Sequence, residues 1–191
     1  MPPNKAISEQ SPAPSCSAWR RGWSRRTADG YHPFMTDIEI RPATLDDLDG
    51  LAHDSGELFA EDGVARDRLR DPEWPRDNDR ARLAGLIAAP DALVLVAVED
   101  AVVVGHLVGT FSPASSMWTA ARAELVSTHV VASHRGQGIG GRMVEDFIAW
   151  SRDRGAARLH VSAYTANSAA IRFYQRYGFV PLSLDLALDV D

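Results

Sequence analysis

Apolar residues recur along this chain with two periods, and the switches between them lay out the elements. Ile38-Glu-Ile-Arg41 alternates and predicts a short strand that Pro42 ends. Thr44 with Asp46 and Asp47 then opens a helix carrying Leu45, Leu48, Leu51, Leu58 and Phe59. Residues 61–80 are charged and broken by Pro72 and Pro75, which predicts a long loop or short helices, with a second helix over 80–88. Ala92 to Val98 and Val102 to Phe111 are apolar and β-branched on either side of Glu99-Asp100, the pattern of a hairpin. A loop covers 112–120. Residues 123–131 read as a strand, and Ile139, Met143, Val144, Phe147, Ile148 and Trp150 recur at helical spacing to about Arg154. A strand from Arg158 to Ala163, a helix carrying Ala170, Phe173, Tyr174 and Tyr177, and a last strand from Phe179 follow. The order β-α-α-β-β-β-α-β-α-β is mixed α/β.

Composition narrows the class. A length of 191 residues suits one domain with a hydrophobic core, placed here over 37–191. The first 36 residues differ: they hold Pro2, Pro3, Pro12, Pro14 and Pro33, are net basic and show no periodicity. They read as a disordered tail, or as an extension ahead of a start at Met35. They lack the apolar stretch of a signal peptide. No run is long and apolar enough for a membrane span. A net charge of -6 argues against a general nucleic-acid binder. The lone cysteine, Cys16, excludes an intrachain disulfide framework and fits a reducing cytoplasm. It also lies far from the motifs below, which speaks against a sulfur nucleophile.

The densest chemistry is His134-Arg-Gly-Gln-Gly-Ile-Gly-Gly141, where a strand turns into a helix. The first N–H groups of a helix have no internal partner, and the helix dipole favours negative charge there. Glycines let a phosphate approach, and Arg135 adds a forked cation, so the turn suits a phosphate or pyrophosphate. Three motifs compete for it. A Walker-type loop needs Lys and a hydroxyl after the last glycine, but Arg142 and Met143 stand there. A dinucleotide fingerprint is met by Gly136, Gly138 and Gly141, yet the window His160-Val-Ser-Ala-Tyr164 has no acid for a ribose. The third pattern, R-x-x-G-x-G, is met by Arg135, Gly138 and Gly140 after Val130-Val131.

That third pattern resembles the acyl-CoA pyrophosphate loop of the GNAT N-acetyltransferase superfamily. A second segment resembles the family's other signature, N-x-x-A-x-x-x-Y-x-x-x-G-F, filled by Asn167, Ala170, Tyr174, Gly178 and Phe179. The resemblance spans roughly 37–190 and is tight from about 123 to 180. It implies a central, mostly antiparallel sheet with a splayed parallel pair and flanking helices. It implies acetyl-CoA as cosubstrate, no metal, and direct attack of a primary amine on the thioester in a ternary complex. The acceptor is a small-molecule or peptide amine, with no nucleic acid or membrane as partner, and homodimers are common in the family. A non-catalytic acyl-CoA-binding domain on the same fold is the rival reading.

By the same resemblance the cofactor contacts are Val130, Val131, Arg135, Gly136, Gln137, Gly138, Ile139, Gly140, Gly141, Asn167, Ala170 and Tyr174. Backbone groups of Val130 and Val131 pair with pantetheine, and one freed N–H polarises the thioester carbonyl. Tyr174 is the expected general acid, since a phenol with a pKa near ~10 can donate to a thiolate. Periodicity alone places it on a core-facing stripe with Ala170, Phe173 and Tyr177. Glu124 is the expected base, eleven residues before Arg135 on the strand. His129 is the runner-up, and strict alternation puts it on the opposite face from Glu124. Asn167 caps its helix or bonds near the cofactor. His134 is solvated or touches a phosphate, while His106 and His160 receive no role. Glu57 and Glu61, four apart, are expected to share a helix face and draw cationic amines.

Overall fold

The computed structural model describes residues 38–190, so the readings made for 1–36 lie outside the described residues. Five strands form one sheet in sequence order: β1 (Glu39–Pro42), β2 (Ala92–Glu99), β3 (Val102–Ser112), β4 (Arg122–Val130) and β5 (Arg158–Val161). Neighbours are antiparallel except β4 and β5, which run parallel. The helices are α1 (Leu48–Leu58), α2 (Trp74–Ala88), α3 (Ile139–Asp153) and α4 (Ser168–Gln175). No helix among the described residues is long and apolar enough to cross a membrane.

The sheet carries two cores because each buried strand presents alternate residues to opposite faces. One face packs Leu93, Leu95, Leu107, Ala123 and Leu125 against Ile139, Met143, Val144, Phe147 and Trp150 of α3 and Tyr174 of α4. The other packs Val94, Val96 and Val108 against Leu48 and Leu51 of α1 and Leu83 of α2. The β2–β3 hairpin turns at Asp100 and Ala101, both at positive φ, in the place the Glu99-Asp100 break predicts.

Three elements depart from the sequence reading. The second helix begins at Trp74, not residue 80, because Pro75 sits in its first turn, where a missing N–H costs nothing. Between α1 and α2 the chain keeps coiling through a π-helical turn, Phe59–Val64. The last strand expected from Phe179 does not form: residues 178–190 belong to no helix or strand. Phe179 itself packs on Tyr174 at the end of α4, with ring centroids 5.8 Å apart.

Candidate active site

The two parallel strands separate where the motif begins. β5 pairs with β4 only from Arg122↔Arg158 to Leu125↔Val161. Beyond that point β4 runs on to Val130, paired with β3 alone on its other side. A slot therefore opens between the strand ends. Backbone direction decides what lines it. The Val131 N–H donates to Val104 O at 3.0 Å, and Val131 O accepts from His134 N at 2.9 Å. By alternation, the N–H and C=O of Val130 point into the slot. Arg135 Nε reaches that C=O at 2.7 Å. So Val130, rather than the pair Val130 and Val131, is left to offer its amide.

The glycine turn stands at the head of the slot. Gly136 and Gly138 have φ of 80° and 81°, the left-handed region where a β-branched residue is strained. A Cβ on either would meet open space, so no protein atom crowds the turn ahead of the first amides of α3. Ile139, Gly140 and Gly141 supply the first N–H groups of that helix. Packing also favours glycine at 141, since a Cβ there would collide with Tyr177 Oη unless that side chain shifted. Gln137 folds back, its amide 3.5 Å from Ser133 O.

Arg135 already holds an anion. Its Nη1 and Nη2 donate to Glu61 Oε1 and Oε2 at 2.9 and 2.6 Å, a two-pronged grip. The neighbouring acid does the same to the second motif: Asn167 Nδ2 donates to Asp62 Oδ1 at 2.6 Å. Asn167 Oδ1 meanwhile accepts from Ala170 N at 3.1 Å, capping α4 as expected. The π-helical turn thus presents Glu61 to one motif and Asp62 to the other. Glu57 and Glu61 do not form the joint acidic patch expected of them. Glu61 is spent on Arg135, while Glu57 lines a groove with His53, Arg76 and Arg80.

Sequence reasoning missed what lies beneath. Asp54 on α1 is 1% exposed and sits between two strand histidines, His106 (0%) and His129 (8%). His106 Nδ1 lies 2.6 Å from Asp54 Oδ2, and His129 Nδ1 lies 2.8 Å from Asp54 Oδ1. With both Nδ1 atoms donating, His106 Nε2 accepts from the Ser127 hydroxyl at 3.1 Å. His129 Nε2 accepts from Arg135 Nη2 at 3.0 Å, and Glu61 Oε2 waits 3.5 Å away. Arg135 can only donate, so in this contact the nitrogen carries its lone pair. Burial pushes the Asp54 carboxyl up, but the hydrogen bonds and charges of the two histidines outweigh it and hold the group at about 2. Burial and the charge of Arg135 push His129 down, but Asp54 and Glu61 together outweigh them, so its pKa is raised. A signal was present: Asp54 stands three after Leu51 and four before Leu58, a carboxylate on an apolar stripe.

A β-bulge corrects the expected geometry of the base candidates. β3 and β4 slip by one residue, so that Gly109 faces Leu125 but Val108 faces Ser127. Residues directly opposite share a face. Glu124 pairs with Thr110, Ser127 with Val108 and His129 with His106, all on the α1 side. Glu124 and His129 therefore lie on one face, not opposite ones. Glu124 is exposed there. His134 is partly buried and paired: its Nε2 lies 2.8 Å from Glu99 and its Nδ1 contacts Ser133.

Tyr174 is buried on the other face, edge-on to Phe173 at 5.2 Å. Burial, with the charge of Asp62 adding to it, pushes its pKa above the usual phenol value, so the hydroxyl keeps its proton.

Comparison with known proteins agrees with this geometry. Residues 58–179 match the model of the acetyltransferase (GNAT) family. The uncharacterized N-acetyltransferase YobR of Bacillus subtilis (strain 168) is 33% identical over 54 residues, which are 28% of this chain and 22% of that protein. A protein described as a transcriptional regulator from Bacillus halodurans C-125 shares 27% identity with a TM-score of 0.63, over 80% of this chain and 99% of that one. Aminoglycoside N-acetyltransferase AAC(6')-Iy, solved with CoA, shares the fold at 15% identity and a TM-score of 0.67, over 84% and 99%. A slot between parting parallel strands, headed by a glycine turn and matched by that model over most of the described chain, places this protein in the acetyltransferase (GNAT) family, a family of acyltransferases.

Proposed function

We propose that this chain is an acetyl-CoA-dependent N-acetyltransferase that passes the acetyl group to a primary amine by direct attack in a ternary complex. The observation that carries this is the slot of β4 with its glycine turn. It puts a backbone amide, a row of helix N-terminal N–H groups and an arginine fork along one line. Acetyl-CoA supplies the activated thioester. The residues present fit it: the space above Gly136 and Gly138 is open, and Arg135 already grips a carboxylate the way it would grip a phosphate.

In this reading, the amides of Gly136 to Gly141, with Gln137 and Ile139 at the turn, hold the pyrophosphate beside Arg135. Val130 aligns the pantetheine arm and aims an N–H at the thioester carbonyl. Val131 braces the strand end, and Asn167 and Ala170 fix the start of α4 beside the slot. Tyr174, kept protonated by burial, donates to the departing thiolate. Glu124 takes the proton of the attacking amine from the open α1 side of the sheet. His129 is a second candidate for that step. One observation favours it: Asp54 fixes its Nδ1–H, leaving Nε2 as a proton acceptor near the slot.

The test is thiol release from acetyl-CoA across classes of amine, with calorimetry for acetyl-CoA and NAD. CoA binding without release for any amine would leave a binding domain on this fold. NAD binding without CoA binding would overturn the reading. Tyr174→Phe should lower kcat by about 10²–10⁴-fold with little change in CoA affinity. The base is the residue, Glu124→Gln or His129→Gln, whose loss removes the acidic limb of the pH–rate profile.

A further inference from the structure

His129 joins the buried carboxylate beneath the sheet to the rim of the slot. Its Nδ1 lies 2.8 Å from Asp54 Oδ1, and its Nε2 lies 3.0 Å from Arg135 Nη2 and 3.5 Å from Glu61 Oε2. The titratable and charged groups facing the ring are therefore Asp54 from α1, Glu61 from the π-helical turn and Arg135 from the loop after β4. The His106 ring of β3 lies alongside, with centroids 6.4 Å apart. Burial opposes a proton on Nε2, and among these charges only the guanidinium does so too. It also fills the lone pair that the proton would take.

That guanidinium is the cation which the acetyl-CoA reading gives to a pyrophosphate. A pyrophosphate in the fork takes the donors that now serve Glu61 and His129, and it adds negative charge to the cluster. Glu61 loses its arginine but stays tethered. Asp62, next on the turn, accepts from Asn167 Nδ2 at 2.6 Å and pairs with Arg66 Nη1 at 2.8 Å. The group already within 3.5 Å of Glu61 that can become its cation is His129.

We propose that binding the cosubstrate's pyrophosphate at Arg135 loads one proton from solvent onto His129 Nε2, which then pairs with the displaced Glu61, and that Asp54 is the positioning residue for this exchange. Asp54 holds the Nδ1–H, so the second proton enters at Nε2, on the rim side. The imidazolium then lies between two carboxylates, and Glu61 keeps a partner at the rim. A charged His129 has no lone pair to offer, which leaves the proton of the attacking amine to Glu124. The proposal rests on the acetyl-CoA reading.

Calorimetry of CoA binding to the full chain tests it, run at about pH 8 in buffers of low and high ionisation enthalpy. The heats should differ between buffers in the sense of proton uptake. Affinity should rise as pH falls from about 9 toward about 7, by up to about tenfold per unit. Dephospho-CoA keeps the pyrophosphate but lacks the 3′-phosphate, which itself titrates near neutrality, and it should give the same uptake. His129→Gln should bind CoA with no uptake and a flat profile over that range. Asp54→Asn removes one of the two carboxylates and should move the steep part of the profile to lower pH. Nitrogen-15 spectra read the proton in the unsubstituted chain: the Nε2 resonance missing from His129→Gln should move to its protonated position when CoA is added. CoA that binds the parent without proton uptake overturns the proposal and leaves the acetyl-CoA reading standing. Uptake that persists in His129→Gln does the same. A chain that binds no CoA overturns both.

Discussion

The two faces of the sheet are built differently, one filled with apolar side chains and the other organised around a buried carboxylate and two imidazoles. The face under α3 and α4 is apolar from Leu93 to Trp150, with no ionisable group but Tyr174 among its buried side chains, and both motifs stand on its rim. The face under α1 and α2 buries an ionised group within its apolar surroundings, Asp54 clamped between His106 and His129. Burying a carboxylate is expensive unless it is fully hydrogen-bonded. A chain that needed only stability would put a leucine at position 54, as at 51 and 58. The apolar face fixes the glycine turn and slot in space; the polar face aims two imidazoles. Glu61 joins them, reaching from the α1 side to Arg135 on the rim.

Cutting into the apolar face should do the greatest damage. Phe147 is fully buried and stacked on Trp150 with centroids 6.1 Å apart. Phe147→Ala should cost about 3–5 kcal/mol in a denaturant titration, at every pH. If the loss is small, this face is not the rigid one and the contrast fails.

The polar face should respond to pH instead. The Asp54 carboxyl is held at about 2, below its unfolded value near ~3.9. A depressed carboxylate contributes stability above its unfolded pKa and loses it as pH falls toward the folded one. His129 is raised, so its share is present below ~6.5 and fades as pH rises through its folded pKa. Asp54→Asn should therefore be less stable than the parent by roughly 2–3 kcal/mol between about pH 4 and 6.5. The gap should close toward pH ~2 and narrow above neutrality. A gap independent of pH would mean that Asp54 acts by shape alone.

The smallest effect concerns the link between the faces. Glu61 occupies the Arg135 fork that the proposed function gives to a pyrophosphate, and its pairing with Arg135 holds its carboxyl below the usual range. An exposed pair of this kind is worth at most about 1 kcal/mol. Glu61→Gln should thus tighten CoA by up to about fivefold in calorimetry. Weaker binding would show that Glu61 positions Arg135 rather than competing for it.

What the sequence determined by itself is local. Strand and helix periods placed β2 through β5 and all four helices, because burial on one side writes a period into contiguous residues. Spacing marked the glycine turn and Asn167 with Tyr174, because each motif's contacts come from a few neighbouring residues on one turn or helix. The start of α2 was misplaced only because Pro75 is ambiguous between breaking a helix and beginning one. What the tertiary structure decided is everything that joins distant segments. Asp54 lies 52 residues from His106 and 75 from His129, and no local pattern announces that meeting. The slip between Val108 and Gly109 put Glu124 and His129 on one face, a matter of strand register that alternation within β4 cannot reveal. The tail from Val180 to Val190 has the pattern of a strand and yet is none, because a strand exists only where its backbone groups are paired with a neighbour's, and that pairing is set by the tertiary structure rather than by the segment.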